Sequence, residues 1–277
     1  GRMGVFAKEL TRESIWEALL ARRVFAATGD RIDARLFLDD GWIGDSVAAP
    51  GERHFKASVH GTSSLDKVEL LRNGRVVQRF FPKQVEPNLA AHRYKLRLTW
   101  GWGRSTVPVE WAGRFTIDQG SIISTETCFS GQAVVAPKGS SVTEVLDEVD
   151  LPHELQNQSE RSFEWRSITQ GNRTMRHETT QAISFDIEAP LSAKVTVEIN
   201  NQRYEHSLAE LLRKTNSHFL RGWLSEAICI GPLVPTEECS VEAEWTDTPH
   251  SDVDVYRLQA AQHNGQWAWL SPIWADR

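Results

Sequence analysis

Nine histidines stand at His54, His60, His92, His153, His177, His206, His218, His250 and His263, and their spacing decides whether a metal site can be read from the chain. No HxH, HExxH or histidine–cysteine set occurs among them, so they read as surface or hydrogen-bonded groups. The stretch "WTDTPHSDVDV" gathers Asp247, His250, Asp252 and Asp254, donors of the kind a hard cation such as calcium takes. It lacks the glycine and terminal glutamate of a calcium loop, and a polar turn entering a strand accounts for the same residues. Asp39, Asp40 and Asp45 in "DDGWIGD" carry the same two readings, since a turn needs these residue types in any case.

Nucleophilic chemistry has no better footing. Cys128, Cys229 and Cys239 are an odd, widely spaced set and read as buried reduced thiols; a Cys229–Cys239 pairing is left open. There is no GxSxG elbow, phosphate-cradling glycine loop or dinucleotide fingerprint. With 37 acidic residues, accidental carboxylate pairs are guaranteed in any fold. No position is therefore assigned a catalytic, metal-binding or cofactor-binding role.

Tryptophan is the compositional oddity, with 11 in 277 residues. Trp100 and Trp102, and likewise Trp267 and Trp269, are two apart, so on extended strands each pair projects to one face. Such indoles either fill a core or an interface, the preferred reading, or form a stacking platform for sugars. Gly101 and Gly103 mark "WGWGR" as a bulge or a close approach.

The elements that position these residues are mostly strands. Thr11 caps a first helix that carries Glu13 in its opening turn and Arg22 and Arg23 at its far end. Ile15, Ala18, Leu19 and Arg22 lie on one stripe, widened by Trp16 and Leu20. From Ile32 onward the apolar period is two. Asn73-Gly74, Asn200-Asn201 and Asn264-Gly265 read as hairpin turns. Only Ser207 with Glu210, ahead of Leu208, Leu211 and Leu212, announces a second helix. The polar stretch 136–160 reads as a long connection or insertion rather than a core strand. The fold class is mostly β: antiparallel β-sandwiches with one N-terminal helix and one further short helix. Three regions are expected, at 1–30, 31–119 and 120–277, the last two separate or one continuous sandwich.

A net charge of −6 with scattered arginines offers no field for a phosphate backbone, so nucleic acid is not an expected partner. No apolar run approaches the ~18 residues of a membrane span. The first residues show no cationic region followed by an apolar stretch, and localisation is not read from the sequence.

The opening "GVFAKELTRESIWEALLARRVFAATGDRI", the "VELLRNGRVV" hairpin, the "VEWAGRFTI" strand and the closing "DVDVYRLQAAQHNGQWAWLSPIWA" together resemble the C-terminal part of a bacterial family of uncharacterised proteins. That family is related to the polymerase-and-histidinol-phosphatase (PHP) superfamily of metal-dependent hydrolases. The resemblance implies that residues 1–30 are the last helix and junction of an α/β barrel-like catalytic domain. It also implies that the His, Asp and Glu ligands of two or three divalent metals lie before Gly1, and that this chain alone is an inactive fragment. Asp30 and Arg31 would lie near the domain seam, as a salt bridge or cap. The implied partner is the upstream catalytic domain, or a separate chain carrying it, and the Ile15, Trp16 and Leu19 face should be covered by it or sit exposed. A free-standing carbohydrate- or surface-binding sandwich is the alternative, and a self-contained hydrolase is the third reading.

Overall fold

The computed structural model describes residues 1–86, 92–103, 107–130, 153–169, 180–223 and 225–277. It is mostly β, with several antiparallel sheets and two α-helices among the described residues. The chain divides into two compact units: unit 1 comprises Gly1–Val85 and Thr236–Arg277, and unit 2 comprises Glu86–Pro235.

Unit 1 begins with β1 (Arg2–Val5), helix α1 (Arg12–Leu20), β2 (Val24–Ala27), β3 (Asp33–Leu38), β4 (Gly41–Trp42), β5 (Ser46–Ala48), β6 (Arg53–His60), β7 (Leu65–Arg72) and β8 (Arg75–Phe80). Unit 2 follows with β9 (His92–Gly101), β10 (Val109–Ile117), β11 (Ser121–Thr127), β12 (Glu154–Gln156), β13 (Ser162–Thr169), β14 (Gln181–Ala189), β15 (Lys194–Ile199), β16 (Gln202–Ser207), helix α2 (Leu208–Arg213), β17 (Asn216–Phe219) and β18 (Ala227–Pro235). A 3-10 turn at Thr236–Cys239 then returns the chain to unit 1 for β19 (Ser240–Asp247), β20 (Val253–Gln262), β21 (Trp267–Leu270) and β22 (Ile273–Asp276).

In unit 1, an eight-stranded sheet runs β1-β2-β21-β20-β22-β5, with β7 and then β8 added on β20; a four-stranded sheet runs β19-β6-β3-β4. Period-two alternation builds the core between them. Along β6, Phe55, Ala57 and Val59 point inward while His54 and Lys56 face water. They meet Leu36 and Leu38 from β3 and Val68, Leu70, Tyr256 and Leu258 from the larger sheet. The Asn73-Gly74 hairpin forms as read, both residues at positive φ (52° and 79°) as a primed turn requires.

Unit 2 is a sandwich of two five-stranded sheets, β12-β13-β10-β15-β16 and β11-β14-β9-β18-β17. Phe115 and Phe163 of the first sheet meet Phe185 of the second in a triangle of ring centroids 4.6–5.2 Å apart. Trp100 of β9 donates its indole N–H to Ser167 Oγ of β13 at 2.7 Å, so this large ring is buried without an orphaned donor. Asn200 and Asn201 form the β15–β16 turn at φ 46° and 67°. Ser207 caps α2 by accepting from the Glu210 N–H.

Two boundaries differ from the sequence reading. Asp118–Gly120 is not a division between domains: there the chain passes from β10 in one sheet of unit 2 to β11 in the other. Residues 1–30 are not a separate piece either, because β2 pairs with β21 inside the large sheet of unit 1. A sequence pattern of uniform period two carries no mark of which strands become neighbours, and so an interrupted sandwich reads like two consecutive ones. Of the stretch 136–160, residues 136–152 lie outside the described residues, while 154–156 form β12 rather than a connection.

Gly113 in β10 sits against the Trp165 indole, where an added Cβ would lie 2.1 Å from a ring carbon. Gly113→Ala is expected to destabilise unit 2 by about 1–3 kcal/mol through overpacking, measured as a lowered urea midpoint. An unchanged midpoint would contradict this packing.

Candidate functional site

The most distinctive construction in unit 1 is α1 and the seat that holds it. Thr11 accepts from the Ser14 N–H at 3.2 Å and caps the helix, as its position in the sequence implies. The helix ends at Leu20, earlier than the charge pattern implies. Arg22 takes a left-handed φ of 56° and, with Arg23, reaches away from the helix. Both guanidinium groups grip the turn between β4 and β5. Arg22 Nε donates to Gly44 O at 3.1 Å, and Arg23 donates to Ile43 O and, at 2.7 Å, to Asp45 Oδ1. Each guanidinium also stacks on an indole, Arg22 on Trp274 at 4.6 Å and Arg23 on Trp42 at 4.4 Å. Gly44 has φ of 90°, and a Cβ there would meet Ala21 O at 2.2 Å, so the turn approaches the helix end as only glycine permits. "DDGWIGD" is thus a socket for the helix terminus: Asp45 also accepts from the Trp42 N–H, and Asp39 accepts from the His54 N–H.

The helix so anchored buries little of itself. Ala18 is buried, and Ile15 and Leu19 are half-buried. Trp16 and Leu20, four apart on one face, are 60% and 67% exposed. The core of unit 1 therefore closes beneath Ala18 without using the widest apolar side chain of the helix.

The acidic cluster near Asp254 is a core device. Arg53 of β6 and Asp254 of β20 form an ion pair at 2.5 Å with both side chains fully buried. Arg53 also donates to Ala49 O, Ala275 O and Tyr256 Oη. Asp254 accepts from Asn73 Nδ2 and from the backbone N–H groups of His250 and Ser251. Asp247 binds Arg72 at 2.9 Å and accepts from Tyr256. Burial by itself would raise the Asp254 carboxyl, but the His250 N–H, Arg53, Asn73 and the Ser251 N–H together hold it well below the usual carboxylate range. Asp247 and Asp254 are therefore committed to protein donors rather than to calcium.

Asp30 is also buried, accepting from Thr62 Oγ1 at 2.7 Å and Asn264 Nδ2 at 2.9 Å within unit 1; its role is a hydrogen-bond hub between the start and the end of the chain. The three cysteines are free thiols, with Cys229 in unit 2 and Cys239 in unit 1. The tryptophan pairs behave differently from each other. Trp100 is buried, whereas Trp102, after the strand ends at Gly101 and at φ 65°, is 46% exposed, so this pair does not share a face. Trp267 and Trp269 do share one, half-buried, their rings parallel within 4° and 5.7 Å apart, with Lys67 over Trp267.

Most described histidines make local contacts: His60 meets Ser58 and Glu242 on the surface, and His92 packs on Tyr94. Burial lowers the pKa of His153. His177 lies outside the described residues. One pair that spacing did not join is brought together: His206 and His218 approach to 3.3 Å across the edge of unit 2. Among the described residues, no group of three or more His, Cys, Asp or Glu stands together as a metal site. No described helix is long and apolar enough to cross a membrane.

The family described as "Protein of unknown function (DUF3604)" matches residues 1–58, which contain α1 and the Ile43–Asp45 turn that Arg22 and Arg23 grip. An uncharacterised protein of Chlamydia pneumoniae is 38% identical over 88 residues, covering 30% of this chain and 14% of that protein. Uncharacterised proteins of Chlamydia muridarum and Chlamydia trachomatis are 31% and 30% identical over 88 residues, with the same shares. The match thus spans 14% of the length of these relatives. No solved structure matches the chain.

The depressed Asp254 pKa fixes a sign for the acid response. An unfolded aspartate titrates near ~3.9, so this carboxylate contributes stability above about pH 4 that is lost as pH falls toward its folded value. Asp254→Asn should flatten the drop in urea midpoint between about pH 5 and about pH 2. At neutral pH it should cost about 3–5 kcal/mol by leaving Arg53 buried and unpaired. A variant with the wild-type midpoint at pH 7 would show that the pair carries no such weight.

Proposed function

We propose that this chain is the non-catalytic C-terminal β-sandwich region of a metal-dependent hydrolase of the PHP type, acting on phosphoesters. In this reading α1 is the face that receives the catalytic part. The observation that carries it is the exposed Trp16 and Leu20 row on a helix whose end is locked by two arginines. An isolated nine-residue helix is marginal in water, and holding its apolar face rigidly outward is useful only if something packs there. The extensive length of the Chlamydia relatives beyond the matched stretch supports the same reading, as does the resemblance of the opening motif. The divalent metals and their His, Asp and Glu ligands would belong to the catalytic part. The residues here would support one flank of it and help shape substrate access.

The carbohydrate-binding alternative rests on Trp267 and Trp269, parallel and half-exposed on the outer face of the large sheet of unit 1. It predicts quenching of tryptophan fluorescence by oligosaccharides, abolished by Trp269→Ala.

The docking reading is tested with Trp16→Glu and Leu20→Glu together. In this chain alone the double variant should change stability by no more than about 0.5 kcal/mol, as for exposed positions. In the full-length gene product it should remove amide-exchange protection from residues 12–20 and lower the hydrolysis of bis(p-nitrophenyl) phosphate. Unchanged protection of α1 in the full-length variant, or hydrolysis by the 277-residue chain alone with added manganese, would overturn the proposal.

A further inference from the structure

The two sheets of unit 2 end, on one side, in β16 and β17. These edge strands belong to different sheets and are joined in sequence through α2. At this edge the imidazoles of His206 and His218 face each other with Nε2 to Nε2 at 3.3 Å. The other ring nitrogen of His206, Nδ1, lies 3.3 Å from Glu210 Oε2, one helical turn on in α2. Tyr204 stacks on His218 with centroids 4.0 Å apart, and Gln202 donates to Leu220 O at 2.7 Å, so the same strands are also bridged beside the pair.

Two features of this geometry suit a shared metal ion. First, the Nε2–Nε2 separation of 3.3 Å is one that a single ion can bridge. Two imidazole nitrogens bound at about 2.0–2.1 Å to one tetrahedral ion come to lie about 3.3 Å apart. Second, a His206 Nδ1–H donated to Glu210 leaves the Nε2 lone pair aimed at His218, the carboxylate–histidine arrangement that orients metal ligands. Imidazole donors suit zinc and copper(II).

We propose that His206 and His218 form a two-imidazole site for a divalent transition-metal ion, zinc or copper(II), that clasps the edges of the two sheets of unit 2. Glu210 is a positioning residue that fixes the His206 tautomer, and solvent completes the coordination. With only two protein ligands, the ion is held more weakly than in a four-ligand structural site. Its role is to fasten β17, a strand of four residues, to the far edge of the sandwich. This site is independent of the docking face on α1, which lies in unit 1.

The test uses the metal-free 277-residue chain, because seven further histidines create background binding that only a variant can subtract. Wild-type protein should bind a first equivalent of copper(II) whose electron paramagnetic resonance spectrum shows coupling to two imidazole nitrogens. Saturating zinc should raise its melting temperature. His206→Asn with His218→Asn should abolish both effects. Glu210→Gln should weaken zinc about 10–100-fold. First-equivalent binding that is the same in the double variant overturns the site. If the double variant does not fold, copper-loaded wild-type protein labelled with nitrogen-15 histidine decides the matter: a spectrum without two-nitrogen coupling overturns it equally.

Discussion

The buried ion pair between Arg53 and Asp254 is the constraint on which unit 1 depends. Both side chains are out of water, so each carries a desolvation cost of several kcal/mol that attraction offsets only when every remaining donor and acceptor is satisfied. Here that condition is met with partners from far apart in the chain. Ala49 O and Ala275 O complete the guanidinium, while Asn73 and the turn at His250–Ser251 complete the carboxylate. Arg53 belongs to the smaller sheet and Asp254 to the larger. A shift of β20 by one residue would send Asp254, and Tyr256 with it, to the outer face and leave the buried Arg53 without its counter-charge. The pair thus specifies one register between the segments before and after unit 2, which hydrophobic alternation by itself would leave degenerate.

The helix seat follows from that register. β22 lies between β20 and β5, and Trp274 on β22 is the surface on which Arg22 rests. Ser46 and Val47 on β5 are held parallel to Trp274 and Ala275, which presents the Ile43–Asp45 turn to Arg23. The position of α1 is therefore set by strands at both ends of the chain rather than by its own apolar stripe. That explains how a short helix stays in place with Trp16 and Leu20 facing outward. Its apolar residues are free to serve another surface because its attachment uses charge, cation–π stacking and one glycine.

Features governed by neighbours in sequence were legible in it. Thr11 and Ser207 cap helices, Asn73-Gly74 and Asn200-Asn201 turn hairpins, and alternation along β6 and β9 places Phe55, Val59, Tyr94 and Leu98 in cores. Features governed by distant pairing were not. The β7–β20 pair joins residues on either side of the whole of unit 2, and no local signal marks the interruption. Asp254 looked like a cation ligand because turn residues and metal-loop residues are the same types; only the arrival of Arg53, 201 positions away, separates the two. His206 and His218 escaped notice because a spacing of 12 matches no helix or strand motif. Their meeting depends on β16 and β17 being edges of facing sheets. Trp102 was misplaced by one backbone torsion, since extending the strand past Gly101 would have put it beside Trp100.

The interrupted topology also separates contacts made inside one segment from contacts that must span it. Unit 2 runs without a break from Glu86 to Pro235, and its core residues, from Tyr94 to Leu233, all lie within that stretch. It can reach its closed core by contacts inside one segment. Unit 1 cannot, because the β7–β8 hairpin has no further partner in the large sheet until β20 arrives, and Arg53 has no counter-charge until Asp254 does. Long-range pairing of this kind is slow because loop closure must come before its contacts form. A folded unit 2 shortens the effective loop between β8 and β19 from an extended chain to the separation of its own ends, which lowers that entropic cost.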